Sequence, residues 1–166
     1  MSSRREPVFF SFDYDHDVFR VQQVKQMGAI EDSGTLVSSN EWVQVKTRGD
    51  TAIRKWIDEN MAYRRCVIVL IGRNTSESRW VNYEIQKAST DGRGLFGIYI
   101  HNLKCPVNGT CMQGRNPFAG FVTNDRRSRL DTLIPAYDPP GGNAYGYIAE
   151  NIENWIDSAI RDARQL

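Results

Sequence analysis

Cys66-Val-Ile-Val-Leu-Ile-Gly72-Arg-Asn-Thr-Ser-Glu-Ser78-Arg-Trp80-Val-Asn-Tyr-Glu84-Ile-Gln-Lys-Ala88 is the stretch whose pattern decides the fold. Cys66 to Ile71 is an unbroken apolar run rich in β-branched side chains and closed by a glycine. A strand of a parallel sheet reads this way, because both of its faces are covered. Arg73 to Ser78 is polar, and Ser78 stands where an N-cap belongs for a helix opening at Arg79. With Trp80 at zero and about 100° per residue, Glu84 falls at about 40°, Ala88 at about 80°, Val81 at about 100° and Ile85 at about 140°. Glu84 therefore lies inside the apolar arc. A carboxylate there is costly unless it is paired, hydrogen-bonded or placed in a site. Two readings stay open at this point: a glutamate at the edge of the stripe whose head reaches water or an arginine, and a functional carboxyl.

Outward from this stretch, strands alternate with helices. Val8 to Phe12 reads as a first strand and ends in the acidic loop Asp13-Tyr-Asp-His-Asp17. A helix follows over about Asp17 to Met27, with Gly28 as its stop. Ala29 to Val45 is weakly patterned and reads mostly as a long loop with room for a short strand. Asp50 is placed to cap a helix over Thr51 to Arg64 with Ile53, Trp56, Ile57 and Met61 inward. Leu95 to Ile100 is another buried strand. His101 to Gly146 is irregular, with Leu133-Ile134 as a small last strand. Tyr147 to about Arg164 closes the chain as an amphipathic helix. The whole predicts a single domain over 1–166 of α/β class: a central parallel sheet with helices on both faces, and an irregular segment before the last helix. Ligands of such folds bind outside the carboxyl ends of the strands, near the switch point. The loops Asp13–Asp17, Glu31–Trp42 and Arg73–Ser78 should meet there, with Glu84 one to two turns below the rim.

With 166 residues and a net charge of +1, nothing points to nucleic acid or an anionic membrane. No apolar run approaches the roughly 20 residues a bilayer span needs, and no signal-type segment opens the chain, so a cytoplasmic protein is expected. Of the three cysteines, Cys66 reads as a core filler, and Cys105 and Cys111 as thiols rather than a disulfide. His16 and His101, the two histidines, lack the spacing of metal ligands, so no metal is expected. Arg126-Arg127-Ser-Arg129 reads as a solvated turn, since aromatic interleaving is missing.

Several chemistries fail on their motifs. There is no dinucleotide or P-loop glycine pattern. Two scattered histidines offer no nucleophile–base triad. Gly72-Arg73 follows the central strand where a phospho-acceptor aspartate would stand. Asp13, Asp15 and Asp17 read as a solvated loop and helix-start charges that suit the helix dipole. What remains is a carboxylate near Phe12, Tyr14, Trp42, Trp80 and Tyr83. Each aromatic alone is more often core than platform. Together with a carboxylate and no metal they suit cleavage of an N-glycosidic bond, whose transition state is oxocarbenium-like. Aromatic faces can stack a nicotinamide or adenine.

Ser78-Arg-Trp80-Val-Asn-Tyr-Glu84 resembles the Ser-x-Trp-x-x-x-Glu signature of TIR domains, and Val8-Phe-Phe-Ser-Phe12 resembles their first strand. The runs around Val67 to His101 and the helix with Asn154-Trp-Ile-Asp157 look like the bacterial TIR-like proteins of the ThsB type, from the Thoeris antiphage system. The resemblance implies a flavodoxin-like domain that takes NAD as substrate, needs no further cofactor and releases nicotinamide. It implies a cyclic ADP-ribose isomer as product, a diffusible signal made on infection that activates a separate effector. It also implies a homo-oligomer. Carried over, Glu84 is the catalytic glutamate, Ser11, Phe12 and Asp13 line the cleft, Trp80 supports it, and Asp32 and Trp42 belong to the second loop. Many TIR enzymes carry arginines just after the first strand. Asp13-Tyr14 stands here instead and leaves the pyrophosphate without an evident partner. Two alternatives stay open: a non-enzymatic TIR-like interaction module, and a nucleoside N-glycosidase or deoxyribosyl transferase.

Overall fold

The computed structural model describes residues 7–27, 39–107 and 109–163, and only the backbone of 39–42. The elements are β1 (Val8–Ser11), α1 (Val18–Lys25), α2 (Ser39–Thr47), α3 (Asp50–Met61), β2 (Cys66–Ile71), α4 (Arg79–Thr90), β3 (Gly94–Tyr99), α5 (Leu130–Leu133), β4 (Ala136–Tyr137) and α6 (Ala144–Asp162). The described strands form one parallel sheet in the order β1-β2-β3-β4. Val8 pairs with Cys66 and Ser11 with Val69, while Cys66 pairs with Gly94 and Ile71 with Tyr99.

Alternation along each strand divides the core into two layers. Val8 and Phe10 of the first strand, and Phe12 just after it, face one side with Cys66, Ile68 and Leu70, under α1 and α6. Phe9 faces the other with Val67, Val69 and Ile71, under α3 and α4. The chain thus leaves β1 toward one face and β2 toward the opposite face. The gap between these two exits is where a doubly wound sheet opens a crevice. Every residue of β2 is buried, as its apolar run requires.

Four local expectations differ from the structure. Residues 39–45 are helical rather than looped, in α2, where Val45 packs on the α3 side of the core. The exposed Val43 blurs the amphipathic pattern that would have marked the helix. Asp50 is the first helical residue, not the cap: Gly49, at φ 93°, takes the cap position. Asp50 then sits in the first turn, where the helix dipole favours a carboxylate. Leu133-Ile134 is not a strand, because Ile134 N–H closes a helical turn onto Leu130 O at 2.7 Å, with Leu130 and Ile134 buried and Leu133 exposed. Pairing starts one residue later, where Pro135 O accepts from Gly97 N at 2.9 Å, and β4 follows at Ala136. The last helix opens at Ala144, three residues before its predicted start, with Gly146 inside the first turn. No described helix is long and apolar enough to cross a membrane.

The segment after β3 folds back over the exit of β2. A Cβ on Gly114 would stand inside van der Waals range of the Gly72 carbonyl oxygen, which is backbone and cannot rotate away. Gly114→Ala is expected to cost about 1–3 kcal/mol by overpacking. Thermal melts check this against Gly120→Ala, where a new Cβ meets nothing within 4 Å. Equal melting temperatures for the two variants would contradict the close approach.

Candidate active site

Glu84 enters the site by helix periodicity. Val81, Ile85 and Ala88 are fully buried against the sheet, and Glu84 shares their side at 4% exposure. Ser78 caps this helix: its Oγ accepts from Val81 N–H at 3.3 Å. Ser78→Ala is expected to lower stability by about 1 kcal/mol, read as a shift in the urea midpoint with unchanged slope. The helix start is also tied to α3, since Arg79 pairs with Asp50 at 2.5 Å and lies over the Trp80 ring at 4.8 Å.

Ser11 arrives from the sheet. It shares its side of β1 with Phe9, the side that α4 covers. Its fully buried hydroxyl donates to Glu84 Oε1 at 2.8 Å. Burial pushes the Glu84 carboxyl from its ordinary value of 4.5 up to about 8, and the Ser11 hydrogen bond opposes the shift only in part. Among the described residues, no cation pairs with this carboxyl.

Above the pair lies an open cavity of about 520 Å³, within the usual range for small-molecule sites. Phe12, Asp13, Trp80 and Glu84 line it, and Ser11 sits behind Glu84. The structure thus brings together the strand end and the helix singled out from the sequence. The loops Asp13–Asp17 and Arg73–Ser78 contribute to the lining as expected, but the sequence reading singled out none of His16, Asn74 and Glu77 within them, nor Lys46 and Arg79 beyond them. The crowded loop Asp13-Tyr-Asp-His-Asp17 was the available signal for His16. Lys46 lies in the last turn of α2, so reading that segment as loop concealed it. Asp32 lies outside the described residues, and Trp42 is described only through the backbone of α2. Tyr83 faces α3 instead of the cavity and donates its hydroxyl to Asp58 at 2.9 Å.

The acidic loop is not a solvated one, contrary to expectation. Asp13 and Asp17 are buried, and of the three aspartates only Asp15 is exposed, beside an exposed His16. Asp13 Oδ1 accepts from Asp15 N–H at 3.0 Å, and its Oδ2 lies 2.6 Å from His16 Nδ1, which raises the His16 pKa above its ordinary value. Asp15 pairs with Lys46 at 3.3 Å. Asp17 packs against Gly72, so closely that a Cβ on Gly72 would overlap its carboxylate. Burial and then Asp13 push the Asp17 carboxyl up to about 6, opposed by Arg20 at 3.5 Å. Arg20 is itself buried and donates to Leu103 O at 2.9 Å and Gly109 O at 2.8 Å. The loop after β3 thus covers a polar pair that the sequence placed in water. The Arg126–Arg129 cluster is an exposed turn, as expected, with Arg129 paired to Asp131. Cys66, Cys105 and Cys111 are thiols.

A family described as "Thoeris protein ThsB, TIR-like domain" matches residues 9–105. The chain belongs to the ThsB TIR-like family. The match runs from β1 past β3 and takes in Ser11, Trp80 and Glu84. A curated protein of Bacillus cereus (strain MSX-D12), named "Putative cyclic ADP-D-ribose synthase ThsB1", is 31% identical over 115 residues. That alignment covers 67% of this TIR-like chain and 60% of the relative, so the chain matches less than two thirds of the relative's length.

Proposed function

We propose that this ThsB-type TIR-like protein cleaves NAD, releases nicotinamide and closes the remaining ADP-ribose into a cyclic isomer. The observation that carries the reading is Glu84: a carboxyl buried at a strand-end cavity, held by Ser11 and walled by Phe12, Tyr14 and Trp80. In the proposed reaction the bond from ribose C1′ to the pyridinium nitrogen breaks, and its electron pair leaves with nicotinamide. Positive charge then spreads over C1′ and the ring oxygen. An ionised Glu84 stabilises that charge from a water-poor position, where a fixed anion acts strongly. A nucleophile of the same ADP-ribose attacks C1′, loses its proton and closes the ring. Lys46, His16 and the capped start of α4 are the polar groups on the lining assigned to the pyrophosphate. Lys46 and His16 already pair with Asp15 and Asp13, so phosphate would have to displace those carboxylates, which favours a slow resting enzyme.

The product would act as a diffusible signal to a separate effector in antiphage defence, and the enzyme would work as a homo-oligomer. The name of the Bacillus relative supports the cyclic product. An interaction module without catalysis would tie Glu84 to backbone or to an arginine such as Arg73 or Arg79. Its bond to Ser11 beneath a cavity supports catalysis instead. Mass spectrometry of nucleotides from infected cells carrying wild type or Glu84→Gln tests the proposal. Nicotinamide and an ADP-ribose isomer should rise only with wild type, and identical profiles would overturn it.

A further inference from the structure

Resting on the NAD-cleaving reading, we propose that Glu84 gives its proton to water when the cationic pyridinium ring of the substrate enters the cavity. The inference starts from charge that is missing around Glu84. Its hydrogen bond runs to a neutral hydroxyl, Ser11. The cations on the lining are each held by a carboxylate of their own: His16 by Asp13, Lys46 by Asp15, and Arg79 by Asp50. Glu77, on the loop before α4, adds another acid to the lining.

The remaining walls are aromatic. Phe12 and Tyr14 lie with ring centroids 4.1 Å apart, and Trp80 borders the same space. Aromatic faces attract cations, more strongly where water is excluded. Acid and aromatic surface without a cation for Glu84 is complementary to a positively charged ring. In the empty site the cheapest state of the buried carboxyl is neutral, because burial holds its pKa near 8. A pyridinium brings the missing counter-ion, and the carboxyl ionises against it. At neutral pH the anion needed for glycosidic cleavage then forms chiefly as substrate binds. A reduced dihydropyridine has the same outline but no charge, so it leaves the proton in place.

Binding of carba-NAD tests the inference without turnover, since a methylene replaces the ring oxygen of its nicotinamide ribose and no oxocarbenium can form. Isothermal titration in two buffers of different ionisation enthalpy counts the protons. At pH 7 about one proton should be released per ligand, falling toward zero above about pH 9, while affinity rises about tenfold over the same range. The reduced form should bind at least about tenfold more weakly and release none. Infrared difference spectra should lose a protonated-carboxyl band on binding of the oxidised form. Glu84→Gln, with its fold checked by circular dichroism, should lose both the band and the proton count. His16, the other titrating group on the rim, contributes equally in both proteins and cancels. Proton release as large in Glu84→Gln as in wild type, equal affinity for oxidised and reduced ligand, or no binding of either form at millimolar concentration would overturn the inference. The catalytic reading fails separately, if NAD yields no nicotinamide whatever the proton count.

Discussion

NAD turnover by Glu84→Gln falls at least about a thousandfold. Glutamine has the outline of the neutral glutamate and its oxygen can still accept from Ser11, so the cavity keeps its shape. It cannot carry the negative charge that offsets positive charge on the departing ribose. Chromatographic measurement of nicotinamide release checks the result. KM should rise as well as kcat fall, because the same charge holds the cationic ring before it reacts. Turnover within tenfold of wild type would remove Glu84 from the chemistry and return the site to a structural or docking role.

The same substitution has a second large effect, on stability. The carboxyl is lifted from 4.5 to about 8 in the folded protein. Between these values the folded state holds a proton that the unfolded chain has lost. Stability from this group is fully present below about pH 4.5, falls as pH rises toward 8, and levels off above that. The total loss is on the order of 5 kcal/mol. Glu84→Gln has no such proton. The variant should match wild type near pH 5 and exceed it by several kcal/mol at pH 8. Urea denaturation of both proteins at pH 5, 6.5 and 8 measures the gap. A gap that stays constant over this range would show that the carboxyl is hydrated when folded.

Glu84 is legible from sequence because helix periodicity alone fixes which residues share a face, and four apolar neighbours define the buried arc around it. Ser11 is legible for a similar reason, since strand parity puts it on the side of Phe9. Asp17 and Arg20 are not. Both are charged residues at the start of a short helix, and their burial depends on the Leu103–Gly109 loop closing over them from more than eighty positions away. No local pattern records that contact. Lys46 escapes for a lesser reason: α2 is short, weakly amphipathic and carries an exposed valine. β4 pairs with Gly97 and Ile98 of β3 over two residues, too short a strand to announce itself by composition.

The crowding around Gly72 also shapes how sequences of this kind can drift. A side chain at Gly72 meets the Asp17 carboxylate, so a second change at Asp17 could make room for it. A side chain at Gly114 meets the main chain of Gly72, and no exchange of amino acids elsewhere removes a carbonyl oxygen. The two glycines therefore face different evolutionary barriers. The first can be crossed by a pair of substitutions in either order, through a weakened intermediate. The second can be crossed only by moving the backbone, through an insertion or deletion in the loop after β3, so length variation in that loop and loss of Gly114 should arise together in lineages descended from this chain.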